Sequence, residues 1–122
     1  MHEMGIALQI IDIAKASIPA DIEHPQVARI HLKIGKLSAV VADSLRFCFD
    51  IAAKDTPLAG AQLAIKEIAV RARCLECGHG WTLDGPAFSC PECRCGRIEL
   101  LSGRELDIES IEIEEKDQTD VA

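Results

Sequence analysis

Cys74-Leu75-Glu76-Cys77 and Cys90-Pro91-Glu92-Cys93 stand twelve residues apart. Each short turn presents two sulfurs on one side, so the matched pair can gather four thiolates around one tetrahedral ion, which for this donor set is zinc. Gly78, directly after the second cysteine, relieves the tight backbone of the first turn. Four closed thiolates leave no open coordination position, so the expected role is structural rather than catalytic. Residues 74–101 then form an inserted module that depends on its metal, being too small to fold on a core of its own. Trp81, Leu83 and Phe88 are its sizeable apolar groups between the two turns, and they are expected to pack over them. The competing readings are a pair of redox dithiols or plain buried thiols. Cys95, which makes a Cys-x-Cys with Cys93, and His79, two residues past Cys77, either compete for the ion or merely stand near it.

Outward from the module, the flanking stretches read as strands. Ala61–Arg73 places Leu63 and Ile65 on one face, then slips parity to Ile68, Val70 and Ala72. Leu106–Glu114 slips in the same way, from Leu106 and Ile108 to Ile111 and Ile113. Read as the two arms of one long hairpin, they would set facing bulges near Lys66-Glu67 and Glu109-Ser110. Further upstream, Val27–Ile34 alternates strictly as a half-buried strand, with Ala28, Ile30, Leu32 and Ile34 on one side and Arg29, His31 and Lys33 on the other. Met4–Ile18 reads as a mostly buried helix, with Ile6, Leu8, Ile10, Ile11, Ile13, Ala14 and Ile18 around a narrow polar stripe at Gly5, Gln9, Asp12 and Ala16, stopped by Pro19. After the turn Gly35-Lys36-Leu37-Ser38, a second helix at about Ala42–Lys54 buries Val41, Leu45, Cys48, Phe49 and Ala52. Phe47 and Ile51 lie on its flank, there to cover the sheet edge or to meet a partner or second subunit. The expected fold is α+β. A small antiparallel three-stranded sheet packs with two helices in residues 1–73 and 102–122, and a zinc-ribbon-like module is inserted at 74–101.

Composition narrows the classes. The chain has 122 residues and net charge −7, with 48% hydrophobic residues but only 3% aromatic and no Tyr. That apolar content excludes disorder except at the polar tail Asp117–Ala122, expected to fray. No apolar run approaches the roughly 20 residues of a membrane span, and Met1-His2-Glu3-Met4-Gly5 lacks the basic start of a signal peptide. Residues 71–97 carry four arginines against three acids, so the remainder holds −8. Nucleic acid prefers a basic footprint, which this balance does not supply. Five of the six cysteines fall within 22 residues, a thiolate cluster rather than the spread framework of a secreted disulfide protein. The expected compartment is the cytoplasm.

The amino terminus holds a second donor set. His2 is bulky, so Met1 is expected to be retained with its α-amino group free. That amine, the His2 amide nitrogen and the His2 ring nitrogen can close fused chelate rings on one ion. Such a flat, nitrogen-rich set suits nickel(II) or copper(II) better than zinc. Glu3 could add its carboxylate or its own amide. On the residues alone the alternative stands beside it: Glu3 places negative charge in the first helical turn and His2 is solvated.

Taken together these stretches resemble the HypA/HybF family of hydrogenase nickel-incorporation proteins along nearly the whole chain. The matching pieces begin with Met1-His2-Glu3 opening a helix, Ile34-Gly35-Lys36-Leu37-Ser38 after a strand, and Leu45-Arg46-Phe47-Cys48-Phe49-Asp50. They continue with Arg71-Ala72-Arg73-Cys74-Leu75-Glu76-Cys77, Ser89-Cys90-Pro91-Glu92-Cys93 and Leu101-Ser102-Gly103-Arg104-Glu105-Leu106, before Ile111-Glu112-Ile113-Glu114. The resemblance implies a nickel metallochaperone that helps load nickel–iron hydrogenase. It implies nickel binding at His2 and Glu3, with the Met1 amine, and zinc at Cys74, Cys77, Cys90 and Cys93. It implies as partners a HypB-type GTPase and the immature hydrogenase large subunit, with urease served by some members. Cys93-Arg94-Cys95-Gly96 departs from the family's commoner Cys-Gly or Cys-His-Gly continuation.

Two other classes make different demands. A zinc ribbon recruiting nucleic acid or a transcription partner needs an exposed basic, aromatic surface, and three Phe, one Trp and no Tyr do not provide it. A thiol-redox enzyme needs dithiols that stay reactive without metal. No Ser/His/Asp set, phosphate loop or paired-carboxylate cleft marks the chain as an enzyme. Monomer, homodimer and strand-exchanged forms are all compatible with the sequence.

Overall fold

The computed structural model describes residues 2–85 and 88–115. The Met1 amine and the tail Asp117–Ala122 lie outside them. In chain order the elements are α1 (Glu3–Ala16), β1 (Pro25–Gly35), a single 3-10 turn (Lys36–Ser38), α2 (Ala42–Ala52) and β2 (Gln62–Ile68). Then come β3 (Val70–Cys74), β4 (Gly80–Leu83), β5 (Ile98–Ser102) and β6 (Leu106–Glu115). Two three-stranded sheets result, in the orders β2-β1-β6 and β4-β3-β5. The chain divides into two compact units. The first holds residues 2–32, 40–65 and 108–115, and the second Lys33–Ala39 with Lys66–Asp107.

In the first unit α1 and α2 pack together. Ile6, Ala7, Ile10, Ile11 and Ala14 of α1 and Leu45, Phe49 and Ala53 in and after α2 are buried with Val27, Ile30 and Leu32 of β1. The polar stripe of α1 faces solvent at all four of its positions. Leu8 and Ile13 are exposed as well, so α1 buries one face rather than most of its surface. Its carboxyl end is closed by Ser17, whose hydroxyl donates to Ile13 O at 2.8 Å. Phe47 is 67% exposed and Ile51 48%, so neither covers a sheet edge.

The single strand expected at Ala61–Arg73 is two strands in two sheets. Its parity slip falls inside β2, at Lys66-Glu67, and the chain leaves one sheet for the other just beyond it, at Ala69, with Ile68, Val70 and Ala72 keeping one parity across the exchange. Ser102 sits at the exchange: its hydroxyl donates to Ala69 O at 2.8 Å and accepts from Arg71 N–H at 3.2 Å. The long hairpin is therefore confined to β3 and β5, which pair antiparallel from Arg71↔Ser102 to Cys74↔Ile98. Its irregularity falls between Arg71 and Ala72, which leaves Leu101 unpaired. β2 and β6 do not pair at all, since β1 lies between them. β1 itself changes parity between the buried Val27 and Ile30.

The second unit has a small core of Val70, Ala72 and Leu83, covered by Trp81, Ile98 and Leu100. Trp81 and Leu83 thus pack in the sheet, and Phe88 is 46% exposed instead of lying over the metal-bearing turns. On the outer face Arg71 bonds Thr82 Oγ1 at 2.7 Å and Arg73 bonds Glu99 at 2.7 Å. The 3-10 turn is pressed against residues 103–105: Leu37 N–H donates to Gly103 O at 2.8 Å, and Gly35 N–H to Glu105 O at 2.7 Å. A Cβ on Gly35 would collide with the Gly103 carbonyl and the Arg104 nitrogen, which are backbone atoms and cannot step aside. Gly35→Ala is expected to destabilise this unit by roughly 3 kcal/mol or more. A melting point within a degree of the native protein's would show that the contact is not needed.

Candidate metal centre

The four cysteines arrive in two turns with the same hydrogen-bond pattern. In the first, Cys74 N–H donates to His79 O at 2.8 Å and Gly78 N–H to Cys74 O at 3.0 Å. In the second, Cys90 N–H donates to Cys95 O at 2.9 Å and Arg94 N–H to Cys90 O at 2.8 Å. The residue after the second cysteine is left-handed in both, Gly78 at φ +77° and Arg94 at φ +62°. Glycine takes that conformation freely, whereas Arg94 takes it at a cost of about 1 kcal/mol. β3 and β5 carry the first turn, because Cys74 ends β3 opposite Ile98 and Leu75 N–H donates to Arg97 O at 2.9 Å. An Arg97–Glu76 ion pair braces the same edge.

All four sulfurs lie within 4.8 Å of one another. Cys74 and Cys93 Sγ are 3.5 Å apart, Cys77 and Cys90 Sγ 3.6 Å. A tetrahedral ion with ligands at 2.3 Å would set its sulfurs about 3.8 Å apart, so the donor set fits a zinc-sized cation. Cys74 and Cys90 are buried, and Cys77 and Cys93 are exposed.

The electrostatics say that these thiols want a cation. The Cys77 N–H, with that of Glu76, is aimed at Cys74 Sγ and pulls its pKa down to about 6 against the burial that raises it. At Cys93 the Cys95 N–H pulls downward, but the hydrogen bond shared with Cys74, burial and the Cys77 and Cys90 thiols outweigh it. The result is a thiol pushed up to about 12. Cys77 also moves up, because burial and the Cys90 and Cys74 thiols outweigh the His79 N–H. One thiolate forms readily and its neighbours resist ionising beside it. A divalent cation removes that resistance and expels the protons.

His79 and Cys95, the two additional candidates, occupy equivalent positions in the two turns, and what each supplies is its carbonyl. The His79 ring stacks on Trp81, with centroids 6.0 Å apart, and its Nε2 is 4.0 Å from Glu92. Cys95 Sγ accepts from Arg97 N–H at 3.3 Å. Neither joins the four-sulfur cluster among the described residues. The equivalence was readable in outline, since both residues stand five positions after the first cysteine of a pair.

At the amino terminus His2 is the exposed N-cap of α1, extended at φ −89°, ψ 107°, with Ile6 N–H donating to its carbonyl at 3.3 Å. Glu3 lies in the first turn of α1, as the alternative reading of the sequence had it, and has a partner that the sequence did not announce. Its Oε2 accepts from Val41 N–H at 3.3 Å, where α2 begins. That amide, joined by its own backbone N–H, holds the Glu3 carboxyl below the usual carboxylate range. The structure thus keeps His2 free in solvent and leaves Glu3 with a structural partner. A further cluster, Glu112 bonding His31 at 2.7 Å and Arg29 at 3.1 Å, lies on β1 and β6. The sequence reading placed Arg29 and His31 on the outer face without finding Glu112 as their partner.

The family model described as "Hydrogenase/urease nickel incorporation, metallochaperone, hypA" matches residues 1–113. A "Hydrogenase maturation factor HypA" of Desulfosudis oleivorans is 60% identical over 115 residues, covering 94% of this chain and all of that one. The protein of the same name from Desulfatibacillum aliphaticivorans is 50% identical over 118 residues, covering 97% and 91%. Among solved structures, the nickel metallochaperone HypA from Helicobacter pylori superposes with TM-score 0.63 at 20% identity, covering 92% of this chain and 97% of that one.

Proposed function

The chain belongs to the HypA family of hydrogenase and urease nickel-incorporation metallochaperones, and from that premise we propose that it carries Ni(II) at its amino terminus. The donors are the Met1 amine, His2 through its amide and ring nitrogens, and Glu3. The second metal is zinc, held by Cys74, Cys77, Cys90 and Cys93 in the module 74–101, while residues 1–73 and 102–122 serve nickel. The carrying observation is that the two donor sets differ in kind. Four cysteine sulfurs lie within 4.8 Å of one another, whereas His2 stands exposed ahead of α1 and outside that cluster. A closed thiolate cage holds its ion for structure. An open terminal chelate can give its ion away, which is what a maturation factor must do.

The protein passes its ion on and transforms no substrate. Its recipients are a HypB-type GTPase and the immature large subunit of nickel–iron hydrogenase, met in the cytoplasm, where thiols stay reduced. No helix among the described residues is long and apolar enough to cross a membrane. The nucleic-acid alternative gains nothing from the structure, because Arg71, Arg73 and Arg97 are already bonded to Thr82, Glu99 and Glu76. Ions pass between ligand sets that can touch, so the GTPase should contact the end bearing His2, Glu3 and α1. Cross-linking of the complex is expected to map there. Cross-links confined to residues 74–101 would contradict it.

The experiment for the whole proposal is metal analysis of untagged protein before and after Ni(II) titration. About one sulfur-bound zinc per chain is expected from the start, with nickel added on top of it. Nickel that enters only by displacing zinc would refute the two-site reading.

A further inference from the structure

Helix α2 begins without a side-chain cap of its own. A capping box would place Glu or Gln at the third helical position to reach back to the N-cap amide. Here that position is Ser44, too short for the task, and the N-cap amide of Val41 is taken instead by Glu3 from α1, at 3.3 Å. Glu3 is the first residue of α1 and follows the N-cap His2 directly. One side chain therefore completes the start of α2 and fixes the first turn of α1, with His2 immediately ahead of it.

We infer that Glu3 is a positioning residue: its carboxylate fastens the start of α1 to Val41, so that His2 is held ready for Ni(II), and the ion takes no oxygen from it. Any contribution of Glu3 to the ion then comes from its backbone nitrogen. This rests on the terminal nickel site proposed above and settles what its acidic member does. A carboxylate that left Val41 for the ion would uncap α2 each time nickel was loaded. A carboxylate that stays lets nickel come and go without disturbing the helix pair.

The variants separate the two roles. Glu3→Gln keeps an oxygen that accepts from Val41 N–H but is a poor metal donor, whereas Glu3→Ala removes both. Square-planar Ni(II) is diamagnetic, so the Val41 amide resonance can be followed in the nickel-loaded protein. Glu3→Ala should shift that resonance and weaken Ni(II) binding about five-fold, the cost of ordering a loosened residue. Glu3→Gln should stay within about two-fold of the native affinity, and both variants should keep their zinc. Nickel loading of native protein should leave the Val41 amide in place. The positioning role is overturned if nickel moves that amide as Glu3→Ala does, or if Glu3→Gln loses as much affinity as Glu3→Ala. Full affinity in His2→Ala would discard the terminal site itself and the positioning role with it. The apo Val41 shift in Glu3→Ala would still report the bond between the helices.

Discussion

Burying the Met1 amine in a peptide bond, with four or more residues placed ahead of it, is expected to abolish tight nickel binding while leaving zinc content and fold unchanged. The extension converts the terminal amine into a peptide nitrogen and moves His2 out of the five- and six-membered chelate rings it shares with that amine. His2→Ala should act as strongly, because it removes the imidazole. Loss of an outer-shell partner alone costs a metal site 10–100-fold, so loss of a ligand should cost roughly a hundred-fold or more. The fold has no stake in either change: His2 is exposed, and its side chain makes no cap bond to α1. Protons compete for the same amine and imidazole nitrogens, so affinity should also fall as pH is lowered. Nickel affinities of native, extended and His2→Ala protein at one pH decide the matter. An extended protein that binds as tightly as the native one would move the ion elsewhere.

The second large effect concerns the cage. Cys74→Ala or Cys93→Ala should remove stoichiometric zinc and unfold or loosen the second unit, where Val70, Ala72 and Leu83 form a small buried cluster beneath Trp81, Ile98 and Leu100. Metal binding is worth about 10–16 kcal/mol to small four-ligand modules, far more than that cluster can supply. The first unit has its own core in α1, α2 and β1, so its amide signals should remain dispersed. Cys95→Ala is the control. It supplies Cys90 through its carbonyl, which the substitution keeps, so zinc should be retained. Equal zinc loss in Cys95→Ala and Cys93→Ala would mean that the ligand set is wrong. The sign of the pH effect follows from Cys77 and Cys93, both raised. These thiols are protonated without metal at neutral pH, so zinc affinity falls as pH falls and binding releases protons.

The elements that local pattern determines were legible in the sequence. Ile30, Leu32 and Ile34 are buried as the alternation in β1 required, and the spacing of the Cys-x-x-Cys pairs located the four-sulfur cluster. What was not legible depends on which strand neighbours which. The parity slip in 61–73 was visible, but it falls within β2, and the unbroken alternation of Ile68, Val70 and Ala72 gives no sign of the change of sheet at Ala69. That change is seen in the bond from Ser102 to Ala69 and in the placement of β1 between β2 and β6. Leu8 and Ile13 read as core because an apolar residue beside a polar stripe looks the same whether or not something packs on it. The partner of Glu3 was hidden for a related reason. Val41 is 38 residues away and offers a backbone amide, which no side-chain pattern announces.

The central claim, two metals in two chemically different sites, is tested most directly by X-ray absorption at the nickel and zinc edges of one sample loaded with both. The zinc edge should show four sulfurs at about 2.3 Å. The nickel edge should show a shell of light donors, chiefly nitrogen, in a flat arrangement with no sulfur. Sulfur in the nickel shell, or nitrogen in place of sulfur around zinc, would contradict the account.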